Sequence, residues 1–108
     1  MNAEGFRKLA LALPGVEESA HGNHPDFRAV GKVFSSLGHP NNDFGMVKLT
    51  TEQQAALIEK QPGAFAPCAG AWGLRGATSV HLATVTKTVI IEALAAALQN
   101  VTAPKSRK

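Results

Sequence analysis

Residues 26–37, DFRAVGKVFSSL, decide the fold more than any other stretch of the chain. Two short runs, residues 26–30 and 33–37, carry aromatic and β-branched side chains on either side of Gly31-Lys32. Gly31 can adopt the positive φ that a tight hairpin turn requires. The stretch therefore predicts a β-hairpin with a two-residue turn.

Further elements are predicted on both sides of this hairpin. A strand is expected over residues 43–49, with Val47 and Leu49 facing the core, and another over residues 78–85. Apolar residues at helical spacing predict helices over residues 3–13 and 87–101, and Asn2 is a plausible N-cap of the first. A third helix should begin after a hydroxyl N-cap at Thr50 or Thr51 and end before Pro62.

The order of these elements is α-β-β-β-α-(β)-β-α, where the bracketed strand falls in a glycine-rich stretch near residues 64–77. Strands linked by a hairpin, with helices at both ends, predict an α+β fold. We expect an antiparallel β-sheet with the N- and C-terminal helices packed on one face. With 108 residues, the chain is long enough for a single domain, taken as residues 1–104, and a basic tail at 105–108.

Charge and composition restrict the class of protein. The formal net charge is +3, but Lys105, Arg107 and Lys108 supply three of the eleven basic residues, so the body of the domain is formally neutral. The one cysteine, Cys68, cannot form an internal disulfide. No stretch reaches the roughly 20 apolar residues of a membrane span, and no signal peptide is recognisable, so a cytoplasmic protein that does not enter membranes is expected.

Two histidines, His21 and His24, stand three residues apart just before the hairpin. A metal site would need further ligands, such as His39 or His81, and no ligand motif is present. The stretch HGNHPDF is more typical of a turn that leads into a strand. No cysteine or serine has a recognisable catalytic partner, so no enzymatic activity and no cofactor are expected.

The segment GAWGLRG, residues 70–76, contains the only tryptophan, Trp72, and Arg75 three residues later. One interpretation is an exposed indole beside a guanidinium, which could stack on a base or hold a phosphate. The other, preferred for a lone tryptophan in a small domain, is that Trp72 pins a loop to the core. Lys87 adds a cation in the first turn of the last helix, where the helix dipole disfavours it unless an anion is bound.

Several motifs together span most of the chain: LALPGVEES, HPDFRAVGKVFSSL, GMVKLT, the F-x-P at residues 65–67, WGLRGATSVHL and VTAPK. In this order they resemble the MmcQ/YjbR-like family. The resemblance implies a compact α+β domain, similar in topology to frataxin and its bacterial relative CyaY, and often described as a double-wing DNA-binding fold.

Three functional hypotheses follow. The first is a small, non-enzymatic monomeric domain that binds DNA or another nucleic acid weakly and with strong salt dependence. Its contacts would be Lys32 at the hairpin, Trp72, Arg75 and Lys87, with Lys105, Arg107 and Lys108 in the tail. The second is a protein-interaction or small-ligand module that uses the Trp72 loop and the free sheet face. The third, a frataxin-like metal binder, would need an acidic ridge that the sequence barely offers.

Overall fold

A computed structural model describes residues 1–22, 24–38 and 41–103. Within these ranges the chain forms a six-stranded antiparallel sheet, with the strand order β1-β2-β3-β4-β6-β5, and four helices. The elements are α1 (Ala3–Leu11), β1 (Glu17–His21), β2 (His24–Ala29), β3 (Lys32–Leu37), β4 (Phe44–Lys48), α2 (Thr51–Lys60), β5 (Phe65–Pro67), α3 (Gly70–Leu74), β6 (Ala77–His81) and α4 (Lys87–Thr102). The predicted α+β class and antiparallel sheet are confirmed.

The core lies on one face of the sheet, where both terminal helices pack. Phe6 of α1 is fully buried, and its ring centroid lies 6.2 Å from that of Phe27 on β2. Gly45 of β4 lies against the ring of Phe6, and a side chain at position 45 would crowd that ring. From α4, Ile90, Ala93, Leu94 and Ala97 are buried in the same cluster. Alternation along β4 places Val47 in this core and turns Phe44, Met46 and Lys48 the other way.

That second side of the sheet is called the open face below. Asp26, Ser36, Met46, Ser79 and Ala66 lie side by side across it in neighbouring strands. Asp26 is only 3% exposed, and both its carboxylate oxygens accept hydrogen bonds from Arg28, at 2.9 and 3.2 Å. This hydrogen bond raises the pKa of Arg28 above its ordinary value, so the two charges offset one another within the sheet.

Helix boundaries follow the capping signals in the sequence. The side chain of Asn2 accepts a hydrogen bond from the Gly5 N–H at 2.8 Å, as predicted for an N-cap. Thr50 and Gln53 form a reciprocal capping box at the start of α2. The first helix ends at Leu11 rather than at residue 13, since Leu13 precedes a proline and is disfavoured in the helical conformation.

The hairpin turn lies one residue earlier than predicted. Ala29 pairs with Lys32, so the turn residues are Val30 and Gly31, and Lys32 is the first residue of β3. Both turn residues have positive φ, 47° for Val30 and 77° for Gly31, as a type I′ turn requires. Val30 is 73% exposed and makes no core contact that would explain its unusual backbone.

The structure differs from the prediction in three other respects: two elements that were not predicted and one strand that is shorter than expected. The strand β1 and the short helix α3 were not predicted, whereas the bracketed strand is β5. The last strand ends at His81, because residues 82–84 form a turn, although Leu82 and Val85 remain buried.

The turn between His21 and His24 is present, and Gly22 has a positive φ of 63°. Among the described residues, no helix combines the length and apolarity needed to cross a membrane.

Candidate functional site: the Trp72 groove

The most promising surface is a groove of about 280 Å³, called the Trp72 groove, at the end of the sheet where β4 finishes and β6 begins. It is lined by Lys48, Leu49, Thr50, Trp72, Arg75, Ala77 and Asn100. Two of these, Trp72 and Arg75, were predicted from the sequence as binding residues. The groove is open to solvent, so it suits a ligand that crosses the surface rather than one enclosed in a reaction chamber.

Glycines hold the helix that carries Trp72 close to the neighbouring backbone. A Cβ atom at Gly73 would overlap the carbonyl oxygen of Cys68, so only glycine allows α3 to lie directly on this segment. Gly73 is buried, whereas its neighbours Trp72 and Leu74 are 64% and 81% exposed. The preferred interpretation of Trp72 as a residue that pins a loop to the core is therefore wrong. Close packing of the backbone turns the indole outward.

The buried side chain of Gln54 on α2 holds α3 and the start of β6 in place. Its side-chain amide is buried and donates to the carbonyl oxygens of Gly73 and Ala77, both at 3.1 Å, and it also lies 3.1 Å from the Thr78 hydroxyl oxygen. The Thr78 hydroxyl in turn donates to the Gly76 carbonyl oxygen at 2.8 Å. Hydrogen bonds from Gln54 and Thr78 thus hold the helix that carries the exposed Trp72.

Asn100 of α4 closes the opposite side of the groove. Its side-chain amide donates to the Lys48 carbonyl oxygen at 3.1 Å and to Gln53 Oε1 at 2.8 Å. Gln53 Oε1 also accepts a hydrogen bond from the Thr50 N–H at 2.9 Å. The end of β4, the start of α2 and the last turns of α4 are therefore joined beside the groove.

The groove carries uncompensated positive charge. The Lys48 ammonium lies 5.6 Å from the centroid of the Trp72 ring, within the range of a cation–π contact. In the part of the chain that the structure describes, no carboxylate pairs with Lys48 or Arg75, whereas Arg7, Arg28 and Lys60 each have an acidic partner. A groove that holds an exposed indole and two unneutralised cations favours a ligand that combines a flat ring with negative charge.

The other predicted cations do not line this groove. Lys32 is exposed at the start of β3, beside the hairpin turn. Lys87 is exposed at the first turn of α4, and the thirteen-residue separation from Asn100 corresponds to roughly 20 Å along a helix. Lys105, Arg107 and Lys108 lie outside the described residues. The last described residue, Ala103, follows the end of α4 that borders the groove.

Sequence reasoning missed Lys48 and Asn100 as parts of the site. Lys48 was expected on the side of β4 away from the core, but nothing in its local pattern indicates a tryptophan above it. Asn100 stands 52 residues later in the chain than Lys48. Only the packing of α4 against β4 brings the two together.

A catalytic or metal centre has less support in this structure. Among residues 1–22, 24–38 and 41–103, no three His, Cys, Asp or Glu residues gather as a metal ion would need. His39 lies outside these ranges, and the side chain of His21 is not described. Burial raises the pKa of the Cys68 thiol, which is the reverse of what an activated nucleophile requires.

Comparisons with known proteins agree on the fold. The sequence model of the YjbR family matches residues 11–99. The crystal structure of protein DR2400 of Deinococcus radiodurans, described as a DUF419 domain, is similar to this chain with a TM-score of 0.79 and 17% sequence identity. The match covers 99% of this chain and 83% of that one, whereas no curated protein matches the sequence. Since the family match extends over most of the 108 residues, the chain belongs to the YjbR family.

Proposed function

We propose that this protein is a small, non-enzymatic, monomeric cytoplasmic domain that binds nucleic acid weakly through the Trp72 groove. The observation that carries the proposal is the 64% exposed indole of Trp72 with Lys48 above it and Arg75 in the same groove. An unpaired base would stack on the indole, and the two cations would contact the adjoining phosphates. Such a combination of aromatic and basic groups is typical of proteins that hold single strands.

The expected affinity is modest and depends on salt. For a single strand, the logarithm of the binding constant falls with the logarithm of salt concentration by about 0.7 per phosphate neutralised. Lys48 and Arg75 alone predict a slope of about −1.4, and adding Lys105, Arg107 and Lys108 predicts about −3.5. The measured slope therefore reports whether the tail takes part. Lys32 and Lys87 would add contacts only for a nucleic acid that extends beyond the groove.

Titration of the intrinsic fluorescence tests the proposal, because Trp72 is the sole indole. Single-stranded and duplex DNA would be added at low and at moderate salt, with single strands expected to quench more strongly. Binding of a labelled strand, followed by anisotropy, should weaken at least about fivefold in Trp72→Ala through loss of stacking. Arg75→Ala should weaken binding and lower the salt slope by about 0.7.

Lys8→Ala is the matched control, since Lys8 is an exposed cation on α1, outside the groove. This variant should bind like the parent protein. Absence of binding at low salt would end the proposal. Loss of all binding on deletion of residues 105–108, with no effect of Trp72→Ala, would assign the activity to the tail alone.

A protein-interaction or small-ligand module is the second candidate. The observation in its favour is Leu74, which is 81% exposed two residues after Trp72 and gives α3 an apolar surface that a nucleic acid does not require. Leu74→Ala separates the two functions. It should leave DNA binding unchanged under the first proposal, whereas a protein that contacts α3 would lose affinity in Leu74→Ala and in Trp72→Ala alike.

A further inference from the structure

A second hollow lies at the other end of the β4–β6 pair. It has a volume of about 220 Å³ and is lined by Phe44, Ser79, His81 and residues 62–66. The rings of Phe44 and His81 are stacked, with centroids 5.0 Å apart and planes inclined by 24°. Thr84 Oγ1 lies 2.8 Å from His81 Nδ1 and fixes the orientation of the imidazole. We call this pair of rings the Phe44–His81 platform.

The platform and Lys48 of the Trp72 groove lie on the same face of the sheet. Phe44 pairs with His81, and Lys48, four residues along β4, pairs with Ala77 of the groove. Alternation turns Phe44 and Lys48 to the same side, away from the core. At the rise of a β-strand, four residues correspond to about 13 Å. Lys48, which lies over the Trp72 ring, and the Phe44–His81 platform thus stand on the open face, four residues apart along β4.

The surface between them does not repel an anion. Met46 and Ser79 pair at the midpoint, and Ser36 lies next to Met46 on β3. The carboxylate in this row is Asp26, which is 3% exposed and bonded to Arg28. A phosphate backbone that leaves Lys48 and Arg75 would therefore cross neutral side chains before it reaches the second pair of rings.

We propose that the open face is a track for single-stranded nucleic acid, with one base on Trp72 and another on the Phe44–His81 platform. The inference rests on the proposed function, and it adds a second binding site and a minimum ligand length. At the 3.4 Å spacing of stacked nucleotides, the distance of about 13 Å between Phe44 and Lys48 corresponds to roughly four steps, so about five nucleotides are needed to span it. A duplex would present no free base to either site, so the track selects single strands.

Oligothymidylates of about two, five and eight nucleotides test the track, since the shortest cannot reach both sites. Quenching of Trp72 reports the groove alone, and total affinity reports both sites. The affinity should rise at least about fivefold between the two shortest lengths, by the addition of one stacked base. His81→Ala and Phe44→Leu should each remove this rise, while the shortest oligonucleotide still quenches Trp72 as before.

Ile91→Ala is the control, because Ile91 is an exposed apolar residue on α4, which packs against the opposite face. Its length dependence should equal that of the parent. If every length quenches Trp72 but neither platform variant changes the rise, the track is refuted and the groove proposal stands. If no length binds at low salt, both are refuted. Thermal melting of the two platform variants confirms that each is folded before its binding is compared.

Discussion

The side chain of Gln54 is expected to be a main support of the candidate site, and Gln54→Ala tests this. Its amide group has two hydrogens and three acceptors at 3.1 Å, so two full hydrogen bonds are lost on truncation. At a net value of about 0.5–1.5 kcal/mol each, they account for about 1–3 kcal/mol of stability.

The penalty for unsatisfied groups is limited in this case. The carbonyl oxygen of Gly73 also accepts from the Gly76 N–H, and that of Ala77 accepts from the Cys68 N–H. Neither oxygen is left without a donor. The substitution also removes one buried methylene group, Cγ, which adds about 0.8 kcal/mol. We therefore expect Gln54→Ala to lower the free energy of unfolding by about 2–4 kcal/mol.

Urea denaturation followed by far-ultraviolet circular dichroism measures this change. Gln99→Ala is the matched control, since it makes the same replacement on the exposed side of another helix and should stay within about 0.5 kcal/mol of the parent. Under conditions in which both variants are folded, Gln54→Ala should also bind DNA more weakly, because α3 is less firmly held. Equal stability of the two variants would refute the support assigned to Gln54.

Three further predictions concern the backbone and the thiol. Val30→Asn should raise stability by about 1 kcal/mol, because a β-branched residue is disfavoured at a φ of 47°, and an unchanged melting temperature would contradict this turn. Gly76→Ala should be far more destabilising in urea than Gly15→Ala, since both have positive φ but only the first Cβ would overlap the Leu49 carbonyl oxygen; similar losses would count against that contact. Burial raises the pKa of Cys68 above its ordinary 9.0, so the thiol's contribution to stability is present below that pH and lost above it. Cys68→Ser should reduce the alkaline loss of stability, and an identical loss in both proteins would disprove the effect.

The parts of the fold that local rules govern were predictable. The sequence indicated the N-cap of α2 at Thr50 or Thr51, where a capping box of Thr50 with Gln53 is found, and alternation correctly assigned Val47 and Leu49 to the core. By contrast, the strand β1, with the sequence EESAH, has neither β-branched nor aromatic residues. It forms by pairing with β2 at the edge of the sheet, and that pairing is invisible in its own composition.

The candidate site was predictable only in part, for a similar reason. The segment around Trp72 was recognised as a surface, but its exposure depends on contact between Gly73 and the Cys68 backbone. Lys48 and Asn100 reach the groove through contacts between elements distant in the chain. Propensity and spacing describe single elements, so they cannot assemble a site that three elements build together.

The hydrogen bonds of Asn100 couple the width of the groove to the first turn of α2. Because one amide joins the Lys48 carbonyl to Gln53, whose own backbone N–H is held by Thr50, widening of the groove would loosen the first turn of α2. A ligand that keeps the groove from widening would then slow hydrogen–deuterium exchange at the backbone N–H of Gln53. Occupancy could thus be read at a backbone position that the ligand never touches.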